Sequence, residues 1–217
     1  MKKLITLLIA IIALSQAAVS QQKTELKIDF EKYTLPNGLD VILHIDRSDP
    51  IVALAIRFHV GSNRESEGHT GFAHLFEHMM FQRSENVSED QFFKIIQNAG
   101  GTLNGGTSND ATTYYEIVPK NALEKILWME SDRMGYMINT VTENAFNIQQ
   151  NVVQNEKRQS YDNQPYGFTS WVVATNLYPK GHPYSWTVIG EMNDLKNATV
   201  DDVKACSLSR LFSTSQQ

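Results

Sequence analysis

Cysteine is almost missing from this chain: 217 residues contain one, Cys206. An internal disulfide is excluded, so stability must come from packing or from a bound metal. Long apolar runs are missing too. The N-terminal one, Leu4 to Leu14, has 11 residues, whereas about 30 Å of hydrocarbon needs roughly 20. Lysine and arginine form no cluster, six histidines are scattered, and the formal charge is −5. Nucleic acid is therefore not an expected partner. No internal repeat or low-complexity segment is present, which argues against a solenoid. What remains is an ordinary globular mixture, 41% apolar and 20% charged, long enough for one domain, or one and a fraction, with a real core.

The first 20 residues stand apart. Lys2 and Lys3 precede the apolar run, and Ser15, Ala17, Ala18 and Ser20 follow it. A charged start, an apolar middle and a small-residue end describe a secretory signal peptide. Ala18 and Ser20 suit a cut before Gln21, and no cysteine stands there to carry a lipid anchor. The expected organisation is a signal peptide over 1–20, a polar lead-in over 21–32, one domain over 33–204 and an irregular tail over 205–217. Export is expected, to the bacterial periplasm, with no membrane association after cleavage.

Along the mature chain, "YTLPNGLDVILHID" reads as a hairpin turning at Pro36-Asn37-Gly38. "PIVALAIRFHVGS" is apolar enough for a central strand. A Gly-rich polar loop, "NRESEGHTG", leads into a helix over 69–81. "SEDQFFKIIQNAGG" reads as a helix with a Ser88/Gln91 capping box and a stop at Gly100-Gly101. "TLNGGTSNDATTYYEIV" reads as a strand pair or an edge strand. Two helices follow, one capped by Asn121 and the next by a Thr140/Glu143 box. An apolar helical piece spans Trp171 to Leu177. Strands, helices, strands, helices in that order favour an α+β fold.

The helix "HTGFAHLFEHMMF" poses the question of function. It is apolar on nearly every side, yet it carries His74, Glu77 and His78. Residues four apart in an α-helix share a face, so both imidazoles can reach one ion. A His pair at that spacing alone is usually unremarkable; with a carboxylate inside an apolar helix, packing does not explain it. A buried carboxylate without a partner is costly, and a divalent cation with a water beside Glu77 removes that cost. Neutral imidazole binds Zn²⁺ and leaves it Lewis-acidic, with one position open for water. Glu77 is then the general base, and amide hydrolysis is the natural task. As a fourth ligand instead, Glu77 would leave no base. Glu156 is the candidate third ligand, on an apolar stripe with Ala145, Gln149, Val152 and Val153.

Four blocks, "HLFEHMMF", "GGTLNGGTSNDATTYYEIV", "LEKILWMESDRM" and "NVVQNEKRQSYDNQPYG", together resemble the N-terminal catalytic half of the pitrilysin/insulinase, or inverzincin, family of zinc peptidases. That family includes the mitochondrial processing peptidase. The resemblance covers residues 33 to 200. It implies a mixed or antiparallel sheet with helices on one face, zinc as cofactor, His74, His78 and Glu156 as its ligands and Glu77 as base. It also implies that an extended peptide or small unfolded protein adds as a strand along "LNGGTS", over Asn104 and Gly105. An exposed strand edge offers free N–H and C=O groups for that purpose. Tyr114, Asp110 and "DNQPYG" are family-like and are read as structural. Many members carry an acidic residue seven before the ligand glutamate; here that residue is Gln149.

The family's working unit pairs this half with a related second half, which supplies an Arg/Tyr pair to the substrate. After "NDLKNATVDDVKA" the pattern gives way to "CSLSRLFSTSQQ", which reads as a truncated or frameshifted tail. Two expectations follow. One is a secreted zinc endopeptidase, active alone or with a partner chain that supplies the other half. The other is a non-catalytic zinc- or peptide-binding module.

Overall fold

The computed structural model describes residues 27–210, without the side chains of 206–210. The signal-peptide segment, most of the lead-in and residues 211–217 lie outside the described residues. The chain divides into two compact units, one ending at Arg47 and one beginning at Ser48.

In the first unit, β1 (Glu31–Thr34) pairs antiparallel with β2 (Asp40–Leu43), with Thr34 opposite Asp40. Gly38 takes φ +87° in the turn between them, a conformation that costs glycine least. Thr34 donates a hydrogen bond to Asp40, and Lys32 pairs with the same carboxylate. The expected hairpin is therefore present. The domain expected over 33–204 begins within this first unit.

The second unit is built on a three-stranded antiparallel sheet, order β3-β5-β4, from β3 (Ile51–Phe58), β4 (Thr102–Thr107) and β5 (Thr112–Pro119). β5 occupies the middle, and β3, expected to be central, is an edge strand among the described residues. Its alternate residues Ile51, Ala53 and Ala55 are exposed. An apolar run marks burial on two faces only when both faces are covered. On β5 the alternation is clean: Thr112, Tyr114, Glu116 and Val118 point into the protein, while Tyr115 and Ile117 face out. Helices cover the inner face, giving the α+β architecture.

The helices are α1 (Phe72–Met79), α2 (Gln91–Asn98), α3 (Leu123–Tyr136), α4 (Glu143–Lys157), α5 (Thr169–Leu177), α6 (Met192–Asn197) and α7 (Val200–Arg210). The last extends through 205–210, the start of the expected irregular tail. No helix among the described residues is long and apolar enough to cross a membrane. Leu75, Met79 and Tyr114 centre one core cluster, with Phe146 and Val153 from α4. Phe92 and Ile96 of α2, Val118 of β5 and Ile126 and Met129 of α3 form the other. Fully burying one such side chain contributes about 2 kcal/mol.

Helix ends depart from expectation in instructive ways. α4 is capped by Thr142, whose hydroxyl accepts from Ala145 N–H, and not by Thr140. The Thr140 hydroxyl instead donates to the Met137 and Arg83 carbonyls. Neither Ser88 nor Asn121 caps through its side chain. The Gly100-Gly101 stop holds: Gly100 has φ +82°, and its N–H and that of Gly101 bond the Gln97 and Ile96 carbonyls. Those two bonds define a Schellman ending.

Candidate metal centre

Helix α1 has no cap residue of its own. Gly71, at φ +84°, offers no side chain, so the first amides need partners from elsewhere. Glu65 supplies them. Its carboxylate accepts from Gly71 N–H at 3.0 Å and from Ala73 N–H at 2.8 Å. A negative charge there also complements the helix dipole. The preceding residue, Thr70, is tied through its hydroxyl and its N–H to Asp194, and its hydroxyl accepts from Glu191 N–H. Gly71 itself lies so close to the Ile189 carbonyl that a Cβ would stand 2.7 Å from it. The helix is thus set rigidly by its N-terminus, and seven of its eight residues are buried.

From that helix His74 and His78 point into a cleft of about 770 Å³, also lined by Glu77, Phe81, Asn104, Gly105, Gln149 and Glu156. The two Nε2 atoms lie 3.2 Å apart. Glu156 on α4 brings its Oε2 to 3.4 Å from His78 Nε2 and 3.8 Å from His74 Nε2. One donor atom from each of the three lies within 4.8 Å of the others. A tetrahedral ion with bonds of about 2.0–2.1 Å holds its ligands about 3.3 Å apart, so the donor set fits a small divalent cation. α4 presents Glu156 by the cleft-facing edge of its apolar stripe. Ala145 and Val153 are buried, whereas Val152 is exposed and lines the cleft with Gln149.

Electrostatics agree with the geometry. Burial, then the charge of His78, brings the His74 pKa down to about 4, so its imidazole is neutral and free to ligate. Burial opposes the His78 cation, but the Glu156 hydrogen bond and charge outweigh it and raise its pKa. Glu156 is lowered by the His78 hydrogen bond, against its own burial. Burial raises Glu77, opposed by a hydrogen bond from Thr107. The His74 Nδ1 is buried with no partner, although such a nitrogen usually has an acceptor in metal sites.

The insulinase family (peptidase family M16) matches the chain over residues 40–169. The chain belongs to the insulinase family. Among curated members, the zinc protease PqqE of Helicobacter pylori is 34% identical over 175 residues, covering 80% of this chain and 39% of PqqE. A solved Helicobacter pylori protease superposes with a TM-score of 0.81 at 32% identity, over 86% of this chain and 44% of that one. The Escherichia coli periplasmic protease PqqL shares the fold, with a TM-score of 0.76 at 21% identity over 86% of this chain and 21% of PqqL. The chain thus spans about two fifths of the length of the Helicobacter pylori relatives that it matches. Membership of this family makes zinc the ion to test at the donor set.

Sequence reasoning placed His74, Glu77, His78, Glu156, Asn104 and Gly105 near one another, and all six line the one cleft. It missed Glu65, which lies in a loop whose acidic residues look alike. It also missed Thr107, a strand threonine with no local signal.

Proposed function

We propose that this chain is the metal-bearing half of an exported zinc endopeptidase. The observation that carries the reading is the convergence of His74, His78 and Glu156 on one point, with the Glu77 carboxylate in the same cleft. The three would hold Zn²⁺, which when bound supplies Lewis acidity for attack on an amide. Glu77 takes the proton of the attacking water and passes it to the leaving amine. Its raised pKa suits that double duty.

The substrate is an extended peptide or small unfolded protein. β4 is a sheet edge among the described residues, and its Asn104, Gly105 and Gly106 line the cleft beside Glu77. A peptide pairing with that edge passes the donor set with little side-chain preference. A second half, from a partner chain or from further sequence, would close the cleft from the other side. Export to the periplasm rests on the signal-like pattern of residues 1–20.

The test is cleavage of quenched fluorescent peptides by the zinc-loaded mature chain, beside Glu77→Gln. Zinc-dependent turnover that disappears in the variant is expected. Wild type and variant that bind zinc equally and are equally inert would instead establish the non-catalytic module.

A further inference from the structure

We propose that Thr107 is the positioning residue for Glu77: its hydroxyl holds one carboxylate oxygen so that the other is left to serve the cleft. This rests on the reading of Glu77 as the base. The Thr107 hydroxyl donates to Glu77 Oε2 at 2.6 Å, the short distance of a charge-assisted bond. Its one proton has no better use. Among the described residues the other hydroxyl within reach is that of Thr112, 3.3 Å away on the opposed residue of β5. Thr112 donates its own proton to the Val60 carbonyl at 2.9 Å. Thr112 thus fixes the neighbourhood while Thr107 faces the carboxylate.

The other oxygen, Oε1, lies beneath Gly105. A Cβ built there would stand 3.1 Å from Oε1 and 2.9 Å from the Phe81 ring. Thr107 and Gly105 are alternate residues of β4, so both meet Glu77 from one face of the strand. The hydroxyl selects Oε2 and the bare α-carbon leaves room for Oε1. A carboxylate on a flexible stem would otherwise sample several rotamers, and a misplacement of about 1 Å costs a catalytic group on the order of 100-fold. The same strand presents the edge proposed for peptide docking, so orientation of the base and placement of the substrate share one rigid element.

The experiment compares full-length wild type with Thr107→Val, nearly isosteric without the hydroxyl, and Thr107→Ser, which keeps it. Zinc-loaded crystal structures and peptide kinetics are collected for all three. Expected is a Glu77 carboxylate displaced in Thr107→Val and retained in Thr107→Ser. With it, kcat falls ~10- to 100-fold in the valine variant at a KM within about twofold of wild type, and the serine variant recovers most of the loss. An unmoved carboxylate in Thr107→Val overturns the proposal, as does a serine variant displaced as far as the valine one. If wild type hydrolyses nothing while the carboxylate moves as described, the peptidase reading fails and the role of Thr107 stands.

Discussion

His74 and His78 hold their Nε2 atoms 3.2 Å apart on α1, and Glu156, some eighty residues later, reaches the same point. One zinc per chain is the expected stoichiometry. His74→Ala, His78→Ala or Glu156→Gln should each weaken binding by ~100-fold or more, measured by competition with a chromophoric chelator. Glu77→Gln should leave affinity within a few-fold. The pH dependence follows from His78. Its pKa is raised above the ordinary 6.5, so its proton competes with the metal from neutral pH downward. Zinc affinity should fall about tenfold per pH unit there for the release of that single proton.

Gly105→Ala probes the crowding over the base. The new methyl meets Phe81, whose ring packs edge-on against Phe92 and Tyr114 and lies 5.4 Å from the Arg133 guanidinium carbon. The ring has little freedom to move away. Overpacking of about 1–3 kcal/mol is expected, read from the urea midpoint, together with at least a ~10-fold loss of kcat.

Glu65→Ala should destabilise the fold by roughly 2 kcal/mol, because two buried amides at the head of α1 lose their acceptor. Glu65→Gln, which keeps one carbonyl oxygen, should lose about half as much. Chemical denaturation measures both. Zinc affinity should fall in the alanine variant, since the helix end that orients His74 loosens.

Glu116 gives a pH dependence with a definite sign. It is fully buried on β5, 3.7 Å from Arg133, which grips Glu130 at 2.6 Å. Burial, then the neighbouring Glu130 carboxylate, push its pKa up to about 8, against Arg133. The folded protein therefore binds a proton that the unfolded chain releases near the ordinary glutamate value of 4.5. This stabilising contribution is complete below that value and is lost as pH rises toward about 8. Glu116→Gln, which cannot ionise, should flatten this slope and stabilise the protein at pH 7 by roughly 1–3 kcal/mol. Thermal unfolding from pH 5 to pH 8.5 would show it.

The candidate metal helix was legible because its oddity is local: two imidazoles and a carboxylate in an apolar run have no packing explanation. Glu156 was legible by the apolar stripe that surrounds it, and more firmly by the family resemblance. The helix caps were less so. Thr140 and Thr142 are both good cap residues beside Glu143, and the choice fell to the Met137 and Arg83 carbonyls that claim the Thr140 hydroxyl. β3 misled because an apolar sequence does not state which of its faces will be covered. Glu65 and Thr107 were invisible for another reason. Each acts on a group six or more residues away through space, and no periodicity records such a bond.

The head of α1 is tied to Ile189, Glu191 and Asp194, more than a hundred residues downstream. During synthesis the helix that carries His74 and His78 therefore emerges long before the segment that fastens it. A ribosome still working toward Asp194 carries every proposed ligand on a nascent polypeptide whose scaffold is unfinished. Tight uptake of metal would then arise late in biogenesis, once the segment from Ile189 to Asp194 has been made and has fastened the head of the helix.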